Sequence, residues 1–446
     1  MTDTVFALAT APGRGAVAVV RLSGPRSEAA LAALAGETPE ARHASVRRLR
    51  DRAGTVLDQA LVLWFPGPAS YTGEDCVELH LHGGAAVIDG VTRALLEQGL
   101  RLAQPGEFTR RAFENGKLDL GQAEAVADLI EAETERQARQ AIDQLDGALG
   151  ARHAIWRADL VQILARLEAV VDFPDEDLPA DVVTGLLDHM RRLREQLAAA
   201  LVDSDRGRRV REGYRVAIIG APNAGKSSIF NALTGSDGAI VTATAGTTRD
   251  VIEAHLTLCG YRVVLADTAG LRDAHDEIEA EGVRRARAWA DKADLRLWVA
   301  DRSASDGAWR DGAAKVRLGD LCILSKVDLA PGEDAEAISV FAAAKTLTVL
   351  PISVKTNGAA AVLDHVAPRV VADSTGSDFP AATRARHVDQ LRMAVESLDR
   401  AIMTICEPEL AAEDIRLAAR ALARVTGRIG VEDVLDDLFS RFCIGK

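Results

Sequence analysis

The segment YRVAIIGAPNAGKSSIFNAL, residues 214–233, has a spacing of glycine, lysine and serine that is suited to binding phosphate groups. It contains the pattern G-x-x-x-x-G-K-S, formed by Gly220, Gly225, Lys226 and Ser227. In such a loop the backbone N–H groups surround the phosphates, the lysine reaches the β- and γ-phosphates, and the serine hydroxyl binds Mg²⁺. A strand-like run precedes the loop and a helix-forming run follows it, so the context predicts a nucleoside triphosphate site. The loop residues expected to contact the nucleotide are Asn223, Ala224, Gly225, Lys226, Ser227 and Ser228.

Two later segments carry groups for the metal and the γ-phosphate. VVLADTAG (263–270) ends a strand-like run in Asp267, which is expected near Mg²⁺, and its Gly270 is free to contact the γ-phosphate. GTTRD (246–250) offers Thr248 as a second hydroxyl for the metal, beside that of Ser227. The contacts predicted after this strand are Asp267, Thr268, Ala269 and Gly270.

Two further segments are suited to recognising the base. CILSKVDL (322–329) places Asp328 just past a strand, where its carboxylate can accept both the N1–H and the 2-amino group of guanine, a donor pair that adenine lacks. PISVK (351–355) can close over the base. The order and spacing of these motifs resemble a translation-factor-type GTPase, which favours guanine, with a P-loop ATPase as the alternative. The residues predicted to contact the base are Ser325, Lys326, Asp328, Ser353, Val354 and Lys355.

Two positions depart from the usual GTPase pattern. Ser325 stands where such GTPases carry the Asn of Asn-Lys-x-Asp, so we expect weaker or less selective guanine binding. Leu271 stands where Ras-like enzymes use a Gln to orient the attacking water. Another group must therefore position the water. The nearby candidates are Asp273, Asp276, Glu277 and Glu279.

The sequence that positions these groups has three textures. Residues 1–118 alternate short apolar runs with turns, which predicts a small α+β domain with strands at 16–22, 60–65 and 76–82. Residues 119–212 and 373–446 have apolar positions at helical spacing, among them Ile130 and Ile142 in the run 122–145, whereas residues 213–372 alternate strands with helices. Residues 371–380 (VADSTGSDFP) are predicted to be a linker. The fold class predicted is multidomain α/β plus α, in which a discontinuous helical bundle domain is interrupted by an inserted P-loop domain. Two independent helical domains are the alternative.

Composition limits the function classes. The 446 residues have a formal net charge of −13, from 66 acidic and 53 basic residues, which argues against nucleic-acid binding by the whole surface but not by a local patch. One candidate patch is RGRRVREGYR (206–215), which could contact nucleic-acid phosphates or be a solvated linker.

The five cysteines show no paired or metal-ligand spacing, which is typical of a reducing compartment. Without a secretory signal or a membrane-length apolar run, we expect a cytoplasmic protein with no membrane contact.

Several stretches together resemble one family over essentially the whole chain. They are GAPNAGKSS, VTATAGTTRD, DTAGLRDAHDEIEAEG, PGEFTRRAFENGKLDLGQAEAVADLI and the terminal FCIGK, and the family is the tRNA modification GTPase MnmE, also called TrmE. The resemblance implies an N-terminal folate-binding and dimerisation domain (1–118), a discontinuous helical domain (119–212 and 373–446) and an inserted Ras-like G domain (213–372). The alternative is a ribosome-associated GTPase switch of the Era/EngA kind, without folate chemistry.

The resemblance also implies a reaction and partners. A homodimer of such proteins forms a heterotetramer with the FAD protein MnmG (GidA). The complex adds an aminomethyl or carboxymethylaminomethyl group to C5 of the wobble uridine of certain tRNAs. The one-carbon unit comes from 5-formyltetrahydrofolate or a related tetrahydrofolate, and GTP is hydrolysed to GDP.

Particular positions acquire roles only from this resemblance. Glu279 matches the water-orienting glutamate and is expected to be catalytic together with Lys226 and Asn223. A potassium ion takes the place of an arginine finger, and its ligands match Asn223, Thr242, Thr244 and Thr247. The folate site matches Arg21, Glu78, Lys117 and Lys446. On the residues alone, Glu78 is a polar residue of an alternating strand and Lys117 a loop lysine, and His80 and His82 are alternative metal ligands.

The terminal CIGK places Cys443 where a prenylation box has its cysteine. The box is a poor one, because its third position is Gly and its last is Lys. The resemblance instead implies that the C-terminus lies against the folate site, where Cys443 is either chemically active or packed.

Overall fold

In this computed structural model the described residues are 3–172, 180–235, 252–267, 284, 287–355, 358–376, 378–429, 432–440, 442, 444 and 445. The chain divides into two compact units. The first comprises Met1–Ile130, Gln144–Leu197 and Asp389–Lys446, and the second comprises Glu131–Asp143 and Ala198–Val388.

The first unit begins with a six-stranded mixed sheet. The strands lie in the order β3-β4-β5-β2-β1-β6, and all neighbours are antiparallel except β1 and β6. The elements of this part are β1 (Val5–Leu8), β2 (Val17–Ser23), α1 (Ser27–Ala35), β3 (Ser45–Arg50), β4 (Val56–Phe65), β5 (Cys76–His82), α2 (Ala85–Glu97), β6 (Arg101–Leu102) and α3 (Glu107–Glu114).

Alternation along the strands separates the two faces of this sheet. Val20, Leu79 and Val62 are buried in a core with Leu31 of α1 and Leu95 of α2. Because successive side chains of a strand point to opposite faces, the intervening residues of β2 and β5 lie on the other face of the sheet. The strands expected from residues 16–22, 60–65 and 76–82 are confirmed, although β4 begins four residues earlier, at Val56.

Long helices make up the rest of the first unit. Most of the apolar positions predicted to face a core on α6 and α7 are buried, including Leu160, Ile163, Leu186 and Met190, whereas Leu164 and Leu201 are half-buried. The helices are α4 (Leu120–Glu131), α6 (Ala148–Asp172), α7 (Ala180–Val202), α13 (Ala385–Met403), α14 (Pro408–Val425) and α15 (Glu432–Ser440), of which α7 and α13 cross the boundary between the units.

A helix break interrupts the run that the sequence suggested between residues 120 and 145. α4 ends at Glu131 and α5 covers Glu135–Leu145. The new helix starts with a reciprocal cap, because the Thr134 hydroxyl accepts the Gln137 N–H at 3.3 Å and Gln137 Oε1 accepts the Thr134 N–H at 3.1 Å. Ile130 and Ile142, expected to be apolar helix positions facing a core, are 42% and 46% exposed.

The second unit contains a six-stranded sheet in the order β12-β11-β10-β7-β9-β8. All neighbours are parallel except β8, which is antiparallel to β9. Its further elements are α8 (Ser204–Glu212), β7 (Tyr214–Gly220), α9 (Lys226–Thr234), β8 (Ile252–Leu258), β9 (Tyr261–Asp267), β10 (Leu295–Asp301), α10 (Trp309–Ala313), β11 (Leu321–Ser325), α11 (Ala335–Ala344), β12 (Thr348–Pro351) and α12 (Gly358–Ser374).

The central strand β7 is apolar on both sides because the sheet is covered on both faces. Val216 and Ile218 face one core and Ala217 and Ile219 the other. The strand therefore ends at Gly220 in the middle of the sheet edge where ligands of parallel α/β folds bind. The linker expected at 371–380 begins later than predicted, because α12 continues to Ser374. Among the helices of the described residues, none has the length and apolar character needed to span a membrane.

Candidate functional site

The phosphate-binding loop connects the end of β7 to the start of α9. Gly220 must be glycine, because a Cβ there would lie 2.2 Å from the backbone oxygen of Val299 in β10. Gly225 has a φ of +98° and Asn223 a φ of +57°, both in the left-handed region. Glycine adopts this conformation freely and asparagine tolerates it. The loop conformation is therefore built from residue types that match its backbone, within the range predicted from the sequence.

Lys226 is held inside this loop. Its Nζ donates hydrogen bonds to the carbonyl oxygens of Gly220 at 3.0 Å and Ala221 at 2.7 Å, and the residue is only 7% exposed. Burial lowers the pKa of Lys226, while the nearby charge of Asp267 acts in the opposite direction. The structure thus holds the ammonium group of Lys226 against the carbonyl oxygens of the loop.

Ser227 and Asp267 form the group best suited to a divalent cation. The Ser227 hydroxyl donates to Asp267 Oδ2 at 2.8 Å, which joins the start of α9 to the end of the neighbouring strand β9. A hydroxyl and a carboxylate oxygen side by side are ligands that Mg²⁺ accepts. The donor set present therefore fits the metal expected there.

The residues predicted to contact the base lie at or just after the ends of β11 and β12. Asp328 accepts hydrogen bonds from the Ser353 hydroxyl at 2.9 Å and from Lys355 Nζ at 2.8 Å. The hydrogen bond from Lys355 and that from Ser353 hold the pKa of Asp328 below its ordinary value. The carboxylate is thus kept ionised and oriented, as an acceptor of two N–H groups must be. Val354 is exposed beside this pair.

Ser325 forms contacts that the sequence did not predict. Its Oγ donates to the backbone oxygen of Ala224 in the phosphate-binding loop at 2.6 Å and lies 3.2 Å from that of Ala300. The residue is 2% exposed. The side chain of Ser325 therefore links the end of β11 to the phosphate-binding loop.

Asp301 at the end of β10 binds Lys326, one of the residues predicted to contact the base, and the sequence did not predict this role. Lys326, which has a left-handed φ of +56°, donates its Nζ to Asp301 Oδ2 at 2.6 Å. Although burial alone would raise it, the bond from Lys326 lowers the pKa of Asp301. A signal existed, because β10 (LRLWVAD) ends in Asp after an apolar run, as β9 (YRVVLAD) does.

A second candidate site lies on the N-terminal sheet. Arg21 of β2 and Glu78 of β5 are direct cross-strand partners, and Nε and Nη2 of Arg21 donate to Glu78 Oε1 at 3.0 and 2.9 Å. They line a cavity of about 210 Å³ together with Phe65 and Tyr71. The Arg21 guanidinium carbon lies 5.3 Å from the centre of the Tyr71 ring. A charged pair beside aromatic rings can bind a planar polar ring by hydrogen bonds and stacking.

Lys117 and the C-terminal tail approach the same part of the molecule. Lys117 Nζ donates to the backbone oxygen of Pro68 at 3.1 Å, in the loop that carries Tyr71. Gly445 is buried with a φ of +100°, and a Cβ there would lie 2.1 Å from the oxygen of Leu8, next to Ala7, the β1 partner of Arg21. Gly445 is therefore packed against β1 at a position where no other residue fits.

Most of the remaining sequence-predicted positions lie outside the described residues. The predicted sites that lie outside the described residues are Thr242, Thr244, Thr247, Thr248, Thr268, Ala269, Gly270, Leu271, Asp273, Asp276, Glu277, Glu279, Cys443 and Lys446. Ser228 is an exposed residue of the first turn of α9. His80 lies near Glu78 and His82 binds Asp58, but no group of three metal-ligating side chains forms among the residues described.

The arginine segment 206–215 is engaged within the protein. Residues 206–212 belong to helix α8, and each of the five guanidinium groups forms an ion pair with a neighbouring carboxylate. The pairs are Arg206–Asp203, Arg208–Asp294, Arg209–Asp294, Arg211–Glu212 and Arg215–Glu212. These pairs favour a structural role over binding of nucleic-acid phosphates.

Comparison with known proteins adds a family to this geometry. The family model for the MnmE helical domain matches residues 120–443, and that for the GTP-binding protein TrmE N-terminus matches residues 4–117. The chain is 56% identical over 447 residues to the tRNA modification GTPase MnmE of Phenylobacterium zucineum and 57% identical over 448 residues to that of Caulobacter vibrioides. Both matches cover 100% of each chain. Among solved structures, Era of Aquifex aeolicus bound to GDP and AlF₄⁻ is 20% identical over 41% of this chain and 66% of its own, with a TM-score of only 0.28.

Proposed function

The chain belongs to the MnmE family of tRNA modification GTPases, and we propose that it hydrolyses GTP in a reaction that modifies the wobble uridine of certain tRNAs. Together with the FAD protein MnmG, it adds an aminomethyl or carboxymethylaminomethyl group to C5 of that base. A tetrahydrofolate derivative, such as 5-formyltetrahydrofolate, supplies the one-carbon unit. The proposed reaction is cytoplasmic, because its tRNA substrate is.

One observation carries the GTPase part of this proposal. The carboxyl ends of β7, β9 and β11 bring together Lys226, the Ser227–Asp267 pair and Asp328, which are the groups needed for phosphates, metal and guanine. Ligands of open parallel sheets bind at this edge. Family membership over the full length makes an adenine-specific ATPase the weaker alternative.

The residues of this chain divide the work of hydrolysis. Lys226 positions the β- and γ-phosphates, and Ser227 with Thr248 would hold Mg²⁺, which supplies charge neutralisation on the phosphate oxygens. Asn223, Thr242, Thr244 and Thr247 would hold K⁺ near the developing negative charge. Glu279 orients the attacking water, a task that Leu271 cannot perform.

The N-terminal site is proposed to bind the folate. Its support is the adjacent guanidinium and carboxylate of Arg21 and Glu78, the aromatic Tyr71 beside them and Gly445 packed at β1. Lys117 and Lys446 would add positive charge for the glutamate tail of the ligand. The chain would act as a homodimer through this domain and form a heterotetramer with MnmG.

Analysis of wobble nucleosides tests the proposal most directly. A deletion strain should lack the modified uridines in mass spectra of its tRNA, and the wild-type gene should restore them. A strain with unchanged nucleosides would reject the proposed reaction. Binding of 5-formyltetrahydrofolate by the purified chain separates it from a switch GTPase of the Era/EngA kind, which has no use for folate.

A further inference from the structure

A second short segment of this acidic protein, besides 206–215, is rich in arginine. Residues 42–52 (RHASVRRLRDR) contain five arginines and one carboxylate, in a chain whose net charge is −13. Most of the segment is β3, which forms one edge of the N-terminal sheet. Positive charge on an edge strand prevents pairing with other strands, but it also creates a local positive field.

The end of this segment lines a cleft of about 500 Å³. Arg26 at the start of α1 and Arg50 and Arg52 at the end of β3 line it, and Ala29 and Ala33 of α1 provide small side chains. Arg26 donates to the backbone oxygen of Gln98 at 2.6 Å, and Arg50 to that of Gly54 at 2.9 Å. These bonds hold two guanidinium groups at the cleft while leaving further N–H donors on each.

The lining of the cleft carries an excess of positive charge. Arg26, Arg50 and Arg52 are exposed, and none of them forms an ion pair with any residue that the structure describes. Two carboxylates, Asp51 and Glu97, also line the cleft. Asp51 is engaged in its own turn, where it accepts the N–H of Thr55 at 2.8 Å. The five arginines of 206–215, by contrast, are all paired.

We propose that this cleft binds the phosphodiester backbone of the RNA substrate, through Arg26, Arg50 and Arg52. The inference rests on the proposed function, since it names where the tRNA of that reaction contacts this chain. A polyanion approaching a chain of net charge −13 needs a local positive surface, and guanidinium groups bind phosphate in a bidentate manner. The small alanine side chains allow the backbone of the ligand to come close. The contact needs no groups that recognise bases, so it does not depend on the nucleotide sequence of the RNA.

Salt dependence of tRNA binding measures these contacts. The full-length protein would be titrated with tRNA by fluorescence anisotropy at about 50 to 200 mM KCl, where each phosphate contact adds about 0.7 to 0.9 to the slope of log K against log salt. The double variant Arg50→Gln/Arg52→Gln should lose about two contacts and bind about tenfold more weakly at the middle of this range. The matched control is Arg93→Gln on α2, which removes an equal charge from an exposed arginine that does not line the cleft.

A variant that makes the cleft more positive shows that weaker binding by the double variant is not caused by a general folding defect. Glu97→Gln removes a carboxylate from the cleft and should tighten tRNA binding, whereas a merely structural role for the cleft predicts no gain. GTP hydrolysis should be unchanged in all these variants, because the nucleotide site lies in the other unit. Equal slopes and affinities for the double variant, the control and the wild type would overturn the proposal, as would absence of tRNA binding by the wild type.

Chemical protection locates the contact without a substitution. Phenylglyoxal should modify Arg50 and Arg52 in the free protein, and tRNA should protect them but not Arg93, as read by peptide mass spectrometry. Protection by inorganic phosphate at equal ionic strength would show a small-anion site instead and overturn the RNA assignment. Lack of modification in the free protein would show a covered cleft and overturn it too. Loss of modified wobble uridines in a deletion strain is read separately, so failure of this inference is distinct from failure of the proposed function.

Discussion

The nucleotide site and the N-terminal pocket are built from sequence in opposite ways. At the nucleotide site, Gly220, Gly225, Lys226 and Ser227 lie within eight consecutive positions, and the loop between one strand and one helix brings them together. In the N-terminal pocket, Arg21 and Glu78 are far apart in the chain and meet only because β2 and β5 pair in register.

This difference decides what can be read without a structure. A local motif includes its own geometry, since the glycines and the strand–helix junction are visible in the sequence. A cross-strand pair depends on register, and a shift of one residue would place Glu78 on the opposite face of the sheet. The two sites also lie in different compact units, so changes in one should leave the chemistry of the other intact.

The largest effect is expected for Lys226→Ala. Removal of the ammonium group that is proposed to position the phosphates should lower GTP turnover at least about 100-fold. Folate binding at the other site should be unchanged. The exposed Lys345→Ala is a control in the same unit and should retain full activity. Normal turnover of Lys226→Ala in a phosphate-release assay would reject the assignment of the nucleotide site.

The cation dependence of hydrolysis comes next. Turnover in K⁺ should exceed that in Na⁺ at equal ionic strength by about tenfold or more, since a cage of fixed size stabilises only the matching ion. Asn223→Gly should remove the difference. Glycine is the suitable replacement, because the φ of +57° at this position would strain alanine. Equal wild-type rates in the two salts would exclude the potassium mechanism.

Glu78→Gln applies the same test to the pocket. The substitution removes the charge that holds Arg21 and should weaken binding of 5-formyltetrahydrofolate about tenfold or more, as loss of a charged hydrogen bond does. GTP hydrolysis should stay at the wild-type rate. Asp89→Asn, an exposed carboxylate on α2, serves as the control for charge. Calorimetry showing unchanged folate affinity would mean that the pocket belongs to another ligand.

The extent of sequence prediction follows the same division. Strand β5 and the phosphate-binding loop were predicted from alternation and from glycine spacing, both of which are local. The helix break at Thr134 was missed because a reciprocal cap interrupts a continuous apolar period. The packing of Gly445 on Leu8 joins the two ends of the chain, so no window of sequence contains it. Asp301 was missed because its partner Lys326 follows the next strand along the chain, β11.

Ser325 is predicted to give the smallest effect, and at this residue the nucleotide site resembles the pocket. Its role depends on a contact between distant segments, the hydrogen bond to Ala224. Ser325→Ala should weaken GDP binding by about 1 kcal/mol, roughly fivefold, because the loop carbonyl loses its partner. Ser325→Asn restores the usual residue, whose amide can donate to Ala224 and also reach towards the base. Isothermal titration should therefore show GDP bound about as tightly as by the wild type or more tightly. Weaker binding by the asparagine variant would mean that the buried space beside Gly225 has adapted to serine. Serine in place of asparagine at position 325 would then be compensated by contacts between distant segments, which no local motif can predict.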